Sequence, residues 1–499
     1  MATLLVAPPA ALDEQREAAS EPQTVRKADI VAQAGVIAIL LAVPTIMCIR
    51  AACVYDNDLW WHLRTGQWML QHHAVPHVDS YSRMSAGKPW EAYSWLYELL
   101  TFQLFQRFGL VGIMCYSAAM VLAITVAFRR LTDRLQSDFT VVILLTFAGC
   151  FGLGHMLTPR PWLFTILFFV LEMDILMHAR KTGQARQLLW LPVIFALWAN
   201  THIQFIYGLA ALALALAESI ATRWRIGETR LRAAWLGGAL AASVAATVLN
   251  PYGLGIYRIV YNIARQPGGM NKISELSAIP FRDPTDYCVL LLALAAVGAL
   301  AWSRRFQVFE VGLLAFGVVV SFRSQRDVWV VVTVAVAILA STITVQRKPP
   351  IRLGAIATTL AVVGAALLIF SWFRLMQVNN QRLGTMIAKV LPVDAVNEIR
   401  AKGYTGPLYN DFNWGGYLVW SLRLPVAIDG RGSFYGDANL DRSFATWNGN
   451  ADWASDPQLA NAGLVIGPVN APLTQILQLD SHYKLVYKDK IAAVFVAQH

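Results

Sequence analysis

Eleven mainly apolar stretches, each close to the roughly 17 to 25 residues that a helix needs to cross hydrocarbon, run through the first three quarters of this chain and constrain its fold more than anything else. They fall near 31–54, 109–131, 138–157, 160–178, 187–201, 204–222, 233–250, 286–302, 307–322, 327–345 and 353–375. Asn200, Thr201 and His202 interrupt the fifth and sixth. In a bilayer each stretch must satisfy its own backbone groups, so each is expected to be a helix. Composition agrees: 56% of the 499 residues are hydrophobic, only 14% are charged, and the mean hydropathy is +0.47. The expectation is a mainly α, multi-pass membrane protein with about 11 spanning helices. The 17 tryptophans and 16 tyrosines suit aromatic belts at the two interfaces.

Lysine and arginine in the connections set the orientation. Arg129, Arg130 and Arg134; Arg180, Lys181 and Arg186; Arg223, Arg225, Arg230 and Arg232; Arg304 and Arg305; and Arg347, Lys348 and Arg352 occupy alternate connections. These share a side with Arg26 and Lys27 of the N-terminal tail, which makes that side cytoplasmic. Most of the +10 net charge lies there, and topogenic signalling accounts for it better than nucleic-acid binding does. Residues 1–30 have no short apolar core followed by a small-residue cleavage site, so they read as a cytoplasmic tail without a signal peptide. Cys48, Cys53, Cys115, Cys150 and Cys288 are scattered through apolar runs, as packing residues rather than a disulfide framework or a thiolate metal site.

The opposite side collects the unusual residues. It receives residues 155–161 (HMLTPRP), 200–204 (NTHIQ), the long stretch 250–286 opening with NPYG, and 322–327 (FRSQRD). Arginines there run against the positive-inside bias, so Arg160, Arg323 and Arg326, with His155 and His202 nearby in sequence, point to a polar cavity or an anion rather than to lipid. A phosphate would satisfy their forked donors; simple snorkelling to the interface is the alternative for each.

The first loop, 55–108, is the richest. Asp56 and Asp58 end the first apolar run, and the spacing of Leu59, Trp60, Leu63 and Leu70 predicts an amphipathic helix lying in the interface. Asp58 and His62 fall four apart, on one face of that helix. A carboxylate at headgroup depth can act as a base, bind a hard cation such as Mg²⁺ or Mn²⁺, or merely cap the helix. His62, His72, His73 and His77 fit no strong metal template. A second interfacial helix is expected to open with Lys88, Pro89 and Trp90, putting Glu91 and Glu98 on one face; Trp61, Glu91 and Trp95 are candidate acceptor contacts.

From about residue 377 the pattern becomes water-soluble. Helices near 394–402, 452–461 and 471–480 alternate with strand-like runs at 425–428, 464–466, 485–487 and 492–496, the last two forming a hairpin through Asp489 and Lys490. Residues 377–499 therefore read as a small extracytoplasmic α/β domain following a transmembrane domain, 31–376. Trp414 lies in NDFNWGGYLVW and Asp429 and Arg431 in AIDGRGSFYG; the latter pair reads as a structural turn or, alternatively, as a substrate contact. There is no P-loop, GxGxxG, GxSxG or HExxH pattern.

Acidic residues just after the first span, two interfacial helices, many further spans and an extracytoplasmic C-terminal domain resemble the GT-C superfamily of integral-membrane glycosyltransferases over nearly the whole chain. The resemblance implies a polyprenyl-phosphate-linked sugar donor, as in protein mannosyltransferases and aminoarabinose transferases, and a lipid, glycan or protein acceptor. It maps the acidic loop motif onto Asp56 and Asp58 and the lipid-phosphate role onto Arg160, Arg323 and Arg326. It also implies a bacterial inner membrane with the chemistry on the periplasmic side. The NWGGY segment echoes the tryptophan-rich motif of oligosaccharyltransferase catalytic subunits but lacks its paired tryptophans and aspartate. A non-catalytic relative with the same fold and a polytopic transporter are the competing readings. A transporter would place its ionisable groups at mid-membrane with internal repeats, whereas these clusters sit at helix ends.

Overall fold

A computed structural model describes residues 27–50, 56–227, 230–265, 273–303, 307–344 and 355–498. Arg26, Cys53, Arg304, Arg305, Arg347, Lys348 and Arg352, with most of the N-terminal tail, lie outside the described residues. Each of the eleven apolar runs contains a helix. Seven are long and apolar enough to cross a membrane, among them Leu110–Leu135, Trp162–Thr182 and Ala355–Leu375. The other four, Phe139–Gly152, Leu191–Thr201, Ala233–Thr247 and Val308–Arg323, run for 11 to 16 residues.

The first and last of the long helices, Lys27–Arg50 and Ala355–Leu375, pack along a seam of small residues. Ala357, Ala361 and Ala365 recur every four positions and meet Ala34 and Ala38, which lets the two backbones approach closely without a hydrophobic driving force. Both helices end on the same face, so the chain leaves the last one beside the first loop. The basic helix ends gather at the other end of the bundle. Lys181 donates to the carbonyls of Arg134 and Leu135, and Arg230 donates to that of Lys181. Arg130 and Arg134 pair with Asp174 at 2.8 and 3.0 Å.

The interfacial helix Leu59–His72 forms as its spacing predicts, and Leu59, Trp60 and Leu63 are buried. The second helix is Trp95–Phe108 and does not open at Lys88. Residues 88–90 pair back instead: Asp79 N donates to Lys88 O and Trp90 N donates to His77 O, each at 3.0 Å. Glu91 therefore precedes the helix and shares no helical face with Glu98. Gly109, at φ +63, turns this helix into Leu110–Leu135. That backbone conformation suits a residue without a Cβ, and the side chain of Asn380 bonds Phe108 O and Val111 N across the turn, both at 3.0 Å.

The C-terminal region holds a four-stranded sheet in the order β1-β2-β4-β3, with β1 Leu408–Asn410, β2 Leu464–Pro468, β3 Tyr483–Lys488 and β4 Ala492–Ala497. β1 runs parallel to β2, and β4 is antiparallel to both β2 and β3. The β3–β4 turn is held by Asp489 Oδ1, which accepts from Ile491 N and Ala492 N at 2.6 and 2.7 Å. Residues 425–428 are not a strand of this sheet. Val426 makes a bridge with Ser82 of the first loop, donating to Tyr81 O at 2.9 Å and accepting from Arg83 N at 2.7 Å. The helix expected over 452–461 breaks into Trp453–Ser455 and Pro457–Ala460, because Asp456 caps the second piece through Gln458 N and Pro457 opens it; the helix expected at 471–480 is the shorter Pro472–Leu477.

Candidate active site

A cavity of about 1190 Å³ opens where the first loop, the polar helix ends and the C-terminal region meet. Asp58, Trp61, His62, Glu91, Arg160, His202, Arg323, Arg326 and Arg431 all line it. Residues more than 370 positions apart in sequence thus share one space.

Asp58 occupies the N-cap position of the helix Leu59–His72, yet its side chain makes no capping hydrogen bond. The Asp58 carboxylate pairs with Arg160 Nη1, and Asp56, behind it, pairs with Arg160 Nε. Asp56 Oδ1 also accepts from Asp58 N at 2.9 Å, which fixes the two acids relative to one another. The third arm of Arg160 reaches Glu275 at 2.8 Å, and its guanidinium lies 5.0 Å from the Trp162 ring. Arg160 therefore answers to three carboxylates while lining the cavity. Burial raises the pKa of Asp56, and raises that of Asp58 to about 7 against the opposing pull of Arg160, with Asp56 and Glu275 adding to the rise. Three acids around one cation leave excess negative charge, so holding a proton near neutrality is the physical consequence.

His62 Nδ1 lies 3.0 Å from Glu98 Oε1, and both side chains are buried. Burial pushes the imidazole pKa well down and the Glu98 carboxyl pKa well up, which favours the neutral form of each. The His62 ring lies against Trp61, with centroids 3.6 Å apart. This pair fixes the floor of the cavity next to Asp58.

A second polar group faces the cavity from the bundle. His202 Nδ1 is 2.8 Å from Thr165 Oγ1, which in turn accepts from Trp198 Nε1 at 2.8 Å. His202 Nε2 and Arg326 Nε are both buried without a hydrogen-bond partner. Arg326 lies 5.7 Å from the centroid of the Trp162 ring, the ring that Arg160 also meets, and Arg323 joins it on the lining. With the Thr165 hydroxyl donating to His202 Nδ1, Nε2 carries the ring proton, and it and Arg326 Nε are then two donors on one cavity, which suits an anion. Asp327, next in sequence, accepts from Gln204 at 2.6 Å.

Several expected contacts lie elsewhere. His155 is exposed in a short turn off the cavity. Trp95 donates from Nε1 to Asn200 at 2.7 Å and is not on the lining, so its role is to tie the second interfacial helix to the bundle. Trp414 is buried in the core, because the glycines beside it, Gly415 and Gly416, press helix Gly415–Ser421 against Ile428 O and Asn57 O. Asp429 is fully buried under the cavity wall, bonded to Arg431 by two oxygens at 2.7 and 2.9 Å. Arg431 spends its remaining donors on Asp79 and Tyr435. Asp429 and Arg431 thus join the C-terminal region to the first loop, with Arg431 on the cavity lining.

A hard cation at Asp56 and Asp58 would need the space that the Arg160 guanidinium fills. Among the described residues no group of three or more His, Cys, Asp or Glu side chains is arranged to hold a metal ion. These carboxylates, already paired with Arg160, do not fit a divalent cation. Glu275, Glu98 as the partner of His62, Asp79 and Gly430 are site residues that sequence reasoning did not single out in these roles.

A helical membrane body, an acidic first loop over a cavity and a small sheet region beside that cavity make a fold shared with a solved membrane oligosaccharyltransferase. Among solved structures the chain matches the archaeal oligosaccharyltransferase AglB from Archaeoglobus fulgidus, solved in complex with an inhibitory peptide and a dolichol-phosphate. The TM-score is 0.55 at 11% identity, over 89% of this chain and 69% of that one. The Archaeoglobus fulgidus oligosaccharyltransferase tethered to an acceptor peptide containing the NVT sequon aligns at a TM-score of 0.49 and 10% identity, with coverage of 89% and 69%. At such identities the likeness is one of fold. No family model and no curated protein matches the chain.

Proposed function

We propose that this protein is an integral-membrane glycosyltransferase that moves a sugar from a polyprenyl-phosphate-linked donor to a lipid, glycan or protein acceptor on the extracytoplasmic side of a bacterial inner membrane. One observation carries the reading: a carboxylate held near neutrality, Asp58, and an anion-seeking group, Arg326 with His202, face the same cavity at one end of the membrane bundle.

The chemistry follows from that juxtaposition. The acceptor hydroxyl gives its proton to the Asp58 carboxylate as its oxygen bonds the sugar's anomeric carbon, and the bond from that carbon to the phosphate oxygen breaks with its electron pair on the phosphate. Arg326, Arg323 and His202 receive the departing lipid phosphate, and fixed donors aimed where charge develops lower the barrier most. Arg160 supplies the fixed positive charge that holds Asp56 and Asp58 in register, so the acid pair is organised without a metal ion. The lipid tail stays in the bilayer because the cavity sits at the helix ends.

Purified protein in detergent, given a panel of radiolabelled decaprenyl-phosphate-linked hexoses and pentoses with membrane lipid and glycan extracts as acceptors, is expected to release decaprenyl phosphate and label the acceptor. Decaprenyl-phosphate sugars that bind without any transfer would favour the non-catalytic relative instead.

A further inference from the structure

The C-terminal region contributes more than a wall. Its turn at residues 429–433 lies directly on the first loop: a Cβ built on Gly430 would collide with Asp58 Oδ1 and come within 2.8 Å of Asp58 Cγ. Gly430 is absent from the residues with positive φ, so its backbone would accept a side chain. What forbids one is the Asp58 carboxylate itself.

The turn is also locked in place. Arg431 donates to Asp79 of the first loop at 2.8 Å and to Asp429 at 2.7 Å, and all three side chains are buried. The guanidinium lies 4.6 to 5.9 Å from the ring centroids of Trp90, Tyr81, Phe434 and Tyr435. Two of those rings belong to the first loop and two to the C-terminal region. A buried ion pair without satisfied partners is costly, so this pairing holds only when the two regions are docked in one register. The bridge between Ser82 and Val426 adds backbone bonds to the same seam.

We propose that the turn at residues 429–433 is a positioning element for Asp58: the bare backbone of Gly430 backs the carboxylate, and Arg431 clamped to Asp79 sets where that backbone sits. Gly430 and Arg431 act through Asp58 and touch no reacting atom. The proposal rests on Asp58 being the base, but the contact itself can be tested without that assignment.

The test is Gly430→Ala in full-length protein, measured in wild-type and Asp58→Ala backgrounds. The added methyl meets the movable end of an aspartate rather than backbone, so the variant is expected to fold with the Asp58 carboxylate displaced. Its melting temperature should fall by about 3 °C in the wild-type background and not at all where Asp58 is already alanine. An equal fall in both backgrounds, or no fall in either, overturns the proposal. In the transfer assay, kcat should drop about a hundredfold, the cost of a displacement on the order of 1 Å, while decaprenyl-phosphate affinity and donor KM stay within about twofold of wild type. A raised KM with kcat intact overturns it as well. If wild-type protein transfers no sugar from any donor, the functional reading fails, and the melting cycle alone decides the positioning role.

Discussion

Asp58→Asn keeps the size of the side chain and its place beside Arg160 while removing the carboxylate that takes the proton. Burial and the neighbouring acids raise the pKa of Asp58 to about 7, and the base works only in its ionised form. Its ionised fraction climbs from about a tenth at pH 6 to about nine tenths at pH 8. Wild-type kcat should therefore rise about ninefold across that interval and flatten above it. The asparagine variant should lose about 10² to 10⁴ of kcat, the usual contribution of a general base, and its residual rate should no longer follow that limb. Stability should move the other way. A carboxyl raised in the folded state costs stability as pH climbs from its unfolded value near 4 towards 7, so the wild type should lose stability over that window and the variant should lose less. The assay is initial-rate transfer of a radiolabelled decaprenyl-phosphate sugar in detergent at half-unit pH steps, with melting curves in the same buffers. A flat wild-type profile between pH 6 and 8, together with an Asp58→Asn enzyme that turns over like wild type, refutes the assignment.

Arg326→Ala and Arg323→Ala are each expected to weaken decaprenyl-phosphate binding by about 1.5 to 3 kcal/mol, the scale of a hydrogen bond to a charged group, with insertion and melting little changed; isothermal titration in detergent measures it. EDTA should leave turnover unchanged, because Arg160 fills the space between Asp56, Asp58 and Glu275; loss of activity restored by Mn²⁺ would return the acids to the role of metal ligands. Alkaline phosphatase fused after His499 should be active in a bacterial host and a fusion after Arg186 inactive; the reverse pattern would invert the membrane orientation.

The parts of the site legible in sequence were those that break a local rule. Asp56 and Asp58 end a hydrophobic run, and Arg160, Arg323 and Arg326 sit where the positive-inside bias disfavours them, so each stood out alone. Which of these charges answers to which was not legible, because pairing is a long-range property. Arg160 has the same sequence credentials as Arg326, yet it is spent on acids 104, 102 and 115 residues away. Glu275 lies in a long polar connection with no periodicity to mark it. The helix expected from Lys88 failed because Pro89 and Trp90 carry the marks of a helix start while their backbone bonds go to the strand-like partner at 77–79. Strand β1 was missed since its three residues are too few to alternate, and it exists only through its pairing with β2. Asp429 and Arg431 were read as a turn and are one, but the partner that gives the turn its purpose, Asp79, lies 352 positions from Arg431.

The alanine seam between the first and last long helices bears on when the protein becomes competent. Asp58 is made early, with the first span, but the turn that backs it is synthesised only after Ala365, which packs in the seam with Ala34 and Ala38. On the proposed function, a chain that ends before residues 429–433 carries Asp58 without the backbone that backs it, so transfer is expected only from chains completed past the last long helix.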